Sequence, residues 1–169
     1  LQPAVVFSGE TQIFTLSERM KRYGVPAASI AVVHNGKLVF VQSYGTLVKN
    51  GEDVATTRTH FQAASLSKAI TAFGILALAE DENISLTSTA NSHLTNWTLP
   101  GGDQVTLVDL LSHSGGVNVP SYPAFGEEET LPTTTDILNG VAEAKSEAVR
   151  VSHPRGKYLY SGGGYMVLQ

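Results

Sequence analysis

Cysteine is absent, so the chain has no disulfide, no thiol nucleophile and no thiolate metal site. Charge is scarce as well: Asp, Glu, Lys and Arg make up 15% of the residues. That is well under the usual share of about a quarter and excludes a strongly charged, disordered chain. The formal net charge is −4, so the basic footprint of a nucleic-acid binder is missing. No apolar run reaches the length of about 18 residues that a membrane helix needs, and no span is expected. The histidines at 34, 60, 93, 113 and 153 are scattered without His-x-x-x-His spacing, so no metal site is expected. What remains is apolar at 42% over 169 residues, enough for one domain or one piece of a larger one. Ser and Thr together outnumber the charged residues, which favours an exported protein, secreted or periplasmic. The start at Leu1-Gln2-Pro3 reads as a mature or trimmed product.

Periodicity divides the chain in two. Residues 1–60 read as a helix followed by the first strands of a sheet. An amphipathic helix is predicted over Glu10–Tyr23, with Ile13, Phe14, Leu16 and Met20 on or near one face and Gly24 and Pro26 ending it. Ala27–His34 and Lys37–Tyr44 read as strands joined by Asn35-Gly36, a pair in which both residues tolerate positive φ. Asn50-Gly51 marks another turn, and Thr57–Phe61 a third short extended piece. Residues 61–169 read as mostly helical. Ser65–Glu80 is apolar almost all round, the pattern of a buried helix. Thr106-Leu107-Val108-Asp109 has the form of a capping box, opening a helix that runs to about His113 and stops at Ser114-Gly115-Gly116. Val117–Pro132 reads as a long surface loop, with Glu127-Glu128-Glu129 a solvated face. A helix is expected over Thr135–Ala148, a turn at His153-Pro154-Arg155-Gly156, an extended piece over Lys157–Tyr160, and a further helix opening at Gly162-Gly163-Gly164.

One spacing carries chemistry. In Ser65-Leu66-Ser67-Lys68 the hydroxyl and the amine sit at i and i+3, on one face of a helix. A serine hydroxyl is a poor nucleophile until a base takes its proton. A lysine in apolar surroundings loses proton affinity and can be that base, and a helix N-terminus favours negative charge developing beside it. Alone, a Ser-x-x-Lys string recurs by chance.

Three stretches then act together: Phe61-Gln62-Ala63-Ala64-Ser65-Leu66-Ser67-Lys68, Val105-Thr106-Leu107-Val108-Asp109-Leu110-Leu111-Ser112-His113-Ser114-Gly115-Gly116, and Pro154-Arg155-Gly156-Lys157-Tyr158-Leu159-Tyr160-Ser161-Gly162-Gly163-Gly164-Tyr165. In this order and spacing they resemble the serine β-lactamase and penicillin-binding-protein superfamily. The branch most resembled is the class C β-lactamase-like group, with its D-alanyl-D-alanine carboxypeptidases, D-amino-acid amidases and family VIII esterases. The resemblance implies an α+β fold, an antiparallel sheet flanked by helices beside a mostly helical region. It implies Ser65 as the acylated nucleophile, Lys68 as the lysine sharing its proton, and Tyr160 as the tyrosine of a Tyr-x-Asn element. Chemistry agrees with that role, since a phenol beside a cationic lysine can act as general base and then as general acid to a leaving group. Tyr158 and Tyr165 fit better as packed aromatics. It implies a small-molecule or peptide acyl substrate and no metal or organic cofactor.

Two departures shape the expectation. Gly162 stands where the family has the Asn that helps hold a substrate amide, which favours an esterase or D-peptidase over a β-lactamase. The family's third motif, Lys-Thr-Gly or His-x-Gly on a later strand, has no counterpart here, and that strand supplies one oxyanion-hole N–H. Loss of one such donor costs about 10²–10³-fold in rate. The chain is therefore expected to be the N-terminal part of one catalytic domain, in a nicked or processed protein whose second chain carries the rest of the sheet. A bare hairpin with an open edge is marginal alone. Gly162 and Tyr122 are candidates for the substrate cleft. Two other readings stand beside the hydrolase: an inactive relative that binds peptidoglycan-like peptides or β-lactams, and a fragment in which Ser65 and Lys68 are only helix residues. His113 and Asp109 are read as a capping or packing pair rather than part of a Ser-His-Asp triad.

Overall fold

The computed structural model describes residues 13–126 and 128–169, and the first three residues of the predicted Glu10–Tyr23 helix, like Glu127, lie outside them. The chain forms two compact units, residues 1–62 and 63–169.

In the first unit, α1 (Leu16–Tyr23) opens on a capping box: the Thr15 hydroxyl accepts from the Glu18 N–H, and the Glu18 carboxylate accepts from the Thr15 N–H. Gly24, in the left-handed region at φ 65°, closes it. The strands β1 (Ala27–His34) and β2 (Lys37–Gly45) pair antiparallel, with Ala28 opposite Tyr44 and Ala31 opposite Val41. Asn35 and Gly36 both have positive φ, 49° and 71°, as the two-residue turn requires. A bulge at Val32/Val33 shifts the register near the turn. Among the described residues this is a two-stranded sheet, and both strands leave large apolar side chains exposed, among them Val33, Leu38 and Val39. After β2, Thr46 and Val54 form an isolated bridge around the Asn50-Gly51 turn.

Thr57–Phe61 is not extended structure. Threonine hydroxyls compete for the backbone there: the Thr59 hydroxyl accepts from the Thr56 N–H at 2.9 Å and the Thr56 hydroxyl from the Arg58 N–H at 3.2 Å. β-branched residues that favour a strand close a side-chain-capped turn instead.

The second unit is built on a core of Leu99, Val105, Leu110 and Val149, all fully buried, with Val117, Val119, Leu138, Val167 and Leu168 around them. A 3-10 turn, Ala64–Leu66, leads into α2 (Ser67–Asp81). The helices α3 (Leu107–Leu111), α4 (Thr134–Asn139) and α5 (Gly162–Val167) are short. The box at Thr106 forms as read, its hydroxyl accepting from the Asp109 N–H while Asp109 accepts from the Thr106 N–H and hydroxyl.

Three expectations need correction here. The helix expected over Thr135–Ala148 is cut to α4 and a separate 3-10 turn at Ala142–Ala144, because Gly140 adopts φ 63° and a Cβ there would lie 2.2 Å from the Ala148 nitrogen. The stretch from Val117 is not all surface loop: Val117, Asn118 and Val119 are buried, Val117 bridging to Val151 and the Asn118 N–H donating to the Arg150 carbonyl. And α2 is not buried. Leu66, Ile70 and Phe73 are each at least 74% exposed, and Ala79 is its one buried residue. Its C-terminal half meets the core through Ile75, while the apolar side chains nearer Ser65 have no covering partner among the described residues.

Candidate active site

Ser65 sits in the tight turn just before α2, and the residue before it is strained: Ala64 has φ 45°, in the left-handed region that costs an L residue about 1–2 kcal/mol. Strain of this kind persists only where surrounding structure enforces it. One helical turn on, Lys68 Nζ donates to Ser65 Oγ at 3.2 Å. Lys68 is half-buried, but its setting is aromatic rather than aliphatic: the ammonium lies 5.2 Å from the ring centroid of Tyr160 and 5.7 Å from that of Tyr165. Such rings attract a cation, unlike the apolar shell expected from the sequence.

From the other side, the Tyr160 hydroxyl donates to Ser65 Oγ at 2.9 Å. Serine, lysine and tyrosine thus converge on one oxygen. The hydrogen bond with Ser65 and then the Lys68 cation hold the Tyr160 phenol below its ordinary pKa. A phenolate at this distance reverses the bond and accepts the serine proton, so the triangle can run as a nucleophile, a base and a cation that stabilises the base.

The segment that carries Tyr160 is held by backbone contacts to the chain just after α3. The Ser114 carbonyl accepts from the Gly156 N–H, and the Gly116 carbonyl from the N–H groups of Ser152 and His153. Gly116 has φ 69°, and a Cβ on it would lie 2.0 Å from the His153 oxygen, so only glycine admits this approach. Arg155 pairs with Asp109 at 2.8 Å, tying the turn before Tyr160 to α3. Burial pushes the Asp109 carboxyl up, but the Thr106 N–H and hydroxyl, Arg155 and Ser114 together bring it below its ordinary value.

Directly after Tyr160, the buried Ser161 caps α5: its hydroxyl accepts from the Gly164 N–H at 2.8 Å and donates to the Asn118 carbonyl at 2.7 Å. Asn118 works like an extra strand residue, its Oδ1 accepting from the Arg150 N–H and its Nδ2 donating to the Ala148 carbonyl. The glycines that follow bring α5 against this shelf, the Gly162 N–H donating to the Pro120 carbonyl and the Gly163 N–H to that of Val119.

Ser65, Lys68 and Tyr160 therefore come together, and the two cleft candidates do not join them. Gly162 is buried, with its missing side chain directed at the Pro120 backbone. Tyr122 is half-buried against the core, its enclosed hydroxyl has no hydrogen-bond partner, and burial pushes its pKa up to about 12. Tyr165 is the packed aromatic expected, its hydroxyl donating to the Leu111 carbonyl, whereas Tyr158 is 74% exposed. His113, read from the sequence as a capping or packing partner of Asp109, packs instead against tyrosines, while the Asp109 carboxylate bonds to Thr106, Ser114 and Arg155. Its ring packs against Tyr160 at 4.5 Å, Tyr165 at 5.1 Å and Tyr158 at 5.9 Å between centroids. Among the described residues no group of three or more His, Asp or Glu is placed to hold a metal ion, and no helix is long and apolar enough to cross a membrane.

A family model described as Beta-lactamase matches residues 15–169. The chain belongs to the β-lactamase family. Protein flp of Staphylococcus aureus is 28% identical over 163 residues, which cover 94% of this chain and 32% of that protein. The structure of an octameric penicillin-binding protein homologue from Pyrococcus abyssi superposes with a TM-score of 0.70 at 28% identity, covering 90% of this chain and 36% of that one. A class C β-lactamase superposes with a TM-score of 0.64 at 22% identity, covering 90% and 40%. The α+β architecture is thus that of the β-lactamase and penicillin-binding-protein fold, of which the chain represents the N-terminal part. The chain spans about a third of the length of its relatives.

Proposed function

We propose that this chain carries the nucleophilic half of a serine acyl-enzyme hydrolase. The observation that supports it is the convergence of Lys68 Nζ and Tyr160 Oη on Ser65 Oγ, at 3.2 and 2.9 Å. In the first step Ser65 Oγ attacks a carbonyl carbon and its proton passes to the Tyr160 phenolate, with the Lys68 ammonium balancing the charge. The bond from the carbonyl carbon to the leaving oxygen or nitrogen breaks, and Tyr160 returns the proton to that atom. Water then attacks the acyl carbon, the acid leaves, and Ser65 regains its proton. The base works because its phenol ionises more readily than a free one, Ser65 and Lys68 being the cause.

The substrate class is an ester or a D-amino-acid peptide or amide. Glycine at 162 offers no side-chain amide to a β-lactam carboxamide, and the backbone packing against Pro120 leaves little room for one. The whole protein would complete the cleft with a further polypeptide segment, in the same or a second chain, that covers the exposed apolar side chains of α2 and pairs with the two-stranded sheet.

Intact-mass spectrometry after treatment with a serine-reactive fluorophosphonate tests the reading. One probe mass is expected on the unaltered chain and none on Ser65→Ala. Equal labelling of both, or labelling of neither, would overturn it. A stable adduct with an ester substrate that never hydrolyses would instead assign the chain to a binding protein without turnover.

A further inference from the structure

The geometry points to His113 as the residue that positions Tyr160, gripping the backbone on both sides of it and stacking on its ring. The inference rests on the role proposed for Tyr160. The His113 carbonyl accepts from the Leu159 N–H at 2.8 Å, and its Nδ1 accepts from the Ser161 N–H at 3.1 Å. The amides before and after Tyr160 are thus held by one residue, whose imidazole also lies 4.5 Å from the Tyr160 ring at a tilt of 37°.

A second observation sets this histidine apart from ordinary packing. His113 follows the end of α3 with φ 59°, a left-handed position that helix ends usually give to glycine or asparagine. A β-carbon is disfavoured in that backbone region. Asparagine is disfavoured less, and the ring contacts explain why histidine stands there instead.

Accepting from Ser161 requires Nδ1 to be bare, so the functional ring is neutral and carries its proton on Nε2. The ionisable groups around it are Lys68 from α2, Asp109 from α3, already paired with Arg155, Tyr158 and Tyr160 from the segment it grips, and Tyr165 from α5. Burial, and then the Lys68 charge, keep the ring neutral to lower pH than a free histidine. Protonation in acid places a hydrogen on Nδ1, breaks the bond to Ser161 and releases one side of Tyr160. Two protonations then oppose Ser65 acylation in acid, one on Tyr160 and one on His113.

The experiment measures the rate constant of Ser65 labelling by a fluorophosphonate from pH 4 to 9, with His113 followed by ¹⁵N NMR. In the unaltered chain the logarithm of the rate should fall with slope one at neutral pH and slope two below the His113 titration. His113→Phe keeps a ring and loses the acceptor, and should label on the order of 10²-fold more slowly, the scale of a 1 Å misplacement. His113→Asn keeps an acceptor, tolerates positive φ and cannot titrate, so it should restore much of the rate and hold slope one throughout. A merely structural histidine predicts no change of slope and no rescue by asparagine, and either result overturns the inference. Should His113→Phe fail to fold, the slope in His113→Asn decides alone. Should the unaltered chain not label at all, the hydrolase reading fails by itself. The grip is then judged by NMR: a bare Nδ1 at neutral pH, with the Ser161 amide exchanging faster on acidification of the unaltered chain but not of His113→Asn, supports it, and a proton on Nδ1 at neutral pH refutes it.

Discussion

Ser65 Oγ and the Tyr160 hydroxyl lie 2.9 Å apart across 95 residues of sequence. Lys68 reaches the same oxygen from one turn away, so a local pair and a long-range partner meet at a single atom. Removing any one of the three should leave a different kinetic trace.

Ser65→Ala should abolish labelling and turnover. Tyr160→Phe should slow acylation by about 10²–10⁴-fold, the contribution of a positioned acid–base group, with little effect on folding because the hydroxyl makes its bond at an exposed site. Stopped-flow labelling and circular dichroism check both.

Lys68→Ala removes the cation that helps hold the Tyr160 phenol low. The sign follows directly: a phenol relieved of that charge ionises at higher pH, so the pH–rate curve should move to the alkaline side. A curve displaced toward acid, or not at all, would show that Lys68 does not act through Tyr160.

Asp109 joins the start of α3 to Arg155. Asp109→Ala should cost about 0.5–2 kcal/mol through the lost cap. In the unaltered chain its depressed carboxyl contributes stability above the ordinary carboxylate range, and that stability is lost as pH falls through the lower folded value. Urea titrations at pH 7 and pH 3 should therefore show a smaller difference between Asp109→Ala and the unaltered chain in acid.

Gly163→Ala would put a Cβ 2.7 Å from the Asn118 carbonyl oxygen, a backbone atom that cannot move without the shelf. A loss of about 1–3 kcal/mol is expected, the usual cost of overpacking. Gly162→Ala meets the Pro120 oxygen at 3.0 Å and should cost less. Thermal melts of the two variants rank them.

Leu99 is fully buried, and Leu99→Ala should cost about 2–5 kcal/mol. Chemical denaturation measures this, and a value below 1 kcal/mol would mean that the core closes over the gap.

Local signals were the legible ones. Asn35-Gly36 announces its turn because few residue pairs accept positive φ twice, and the structure has both. Thr106 and Asp109 announce a helix start because a capping box is complete within four residues. Ser65 and Lys68 needed only helical spacing to be paired, and Tyr160 needed the family resemblance, since nothing in local pattern tells one tyrosine of that segment from another. The misses were non-local. Thr57–Phe61 has strand-forming composition, but hydroxyl bonds between Thr56 and Thr59 decide its shape. The apolar pattern of α2 reports what surrounds such a helix in a whole domain, while this chain, a third of its relatives' length, leaves Ile70 and Phe73 open. The part His113 plays was hidden because its ring contacts and its bond to Ser161 are with residues 45 or more positions away.

The hold of His113 on the amides of Leu159 and Ser161 has a mechanical consequence. Tyr160 is suspended at two points from the residue that follows the α3 C-cap, so its backbone cannot drift relative to that residue without stretching a hydrogen bond. A displacement of α3, which the Thr106–Asp109 box and the Asp109–Arg155 pair anchor, would therefore carry the backbone of Tyr160 with it.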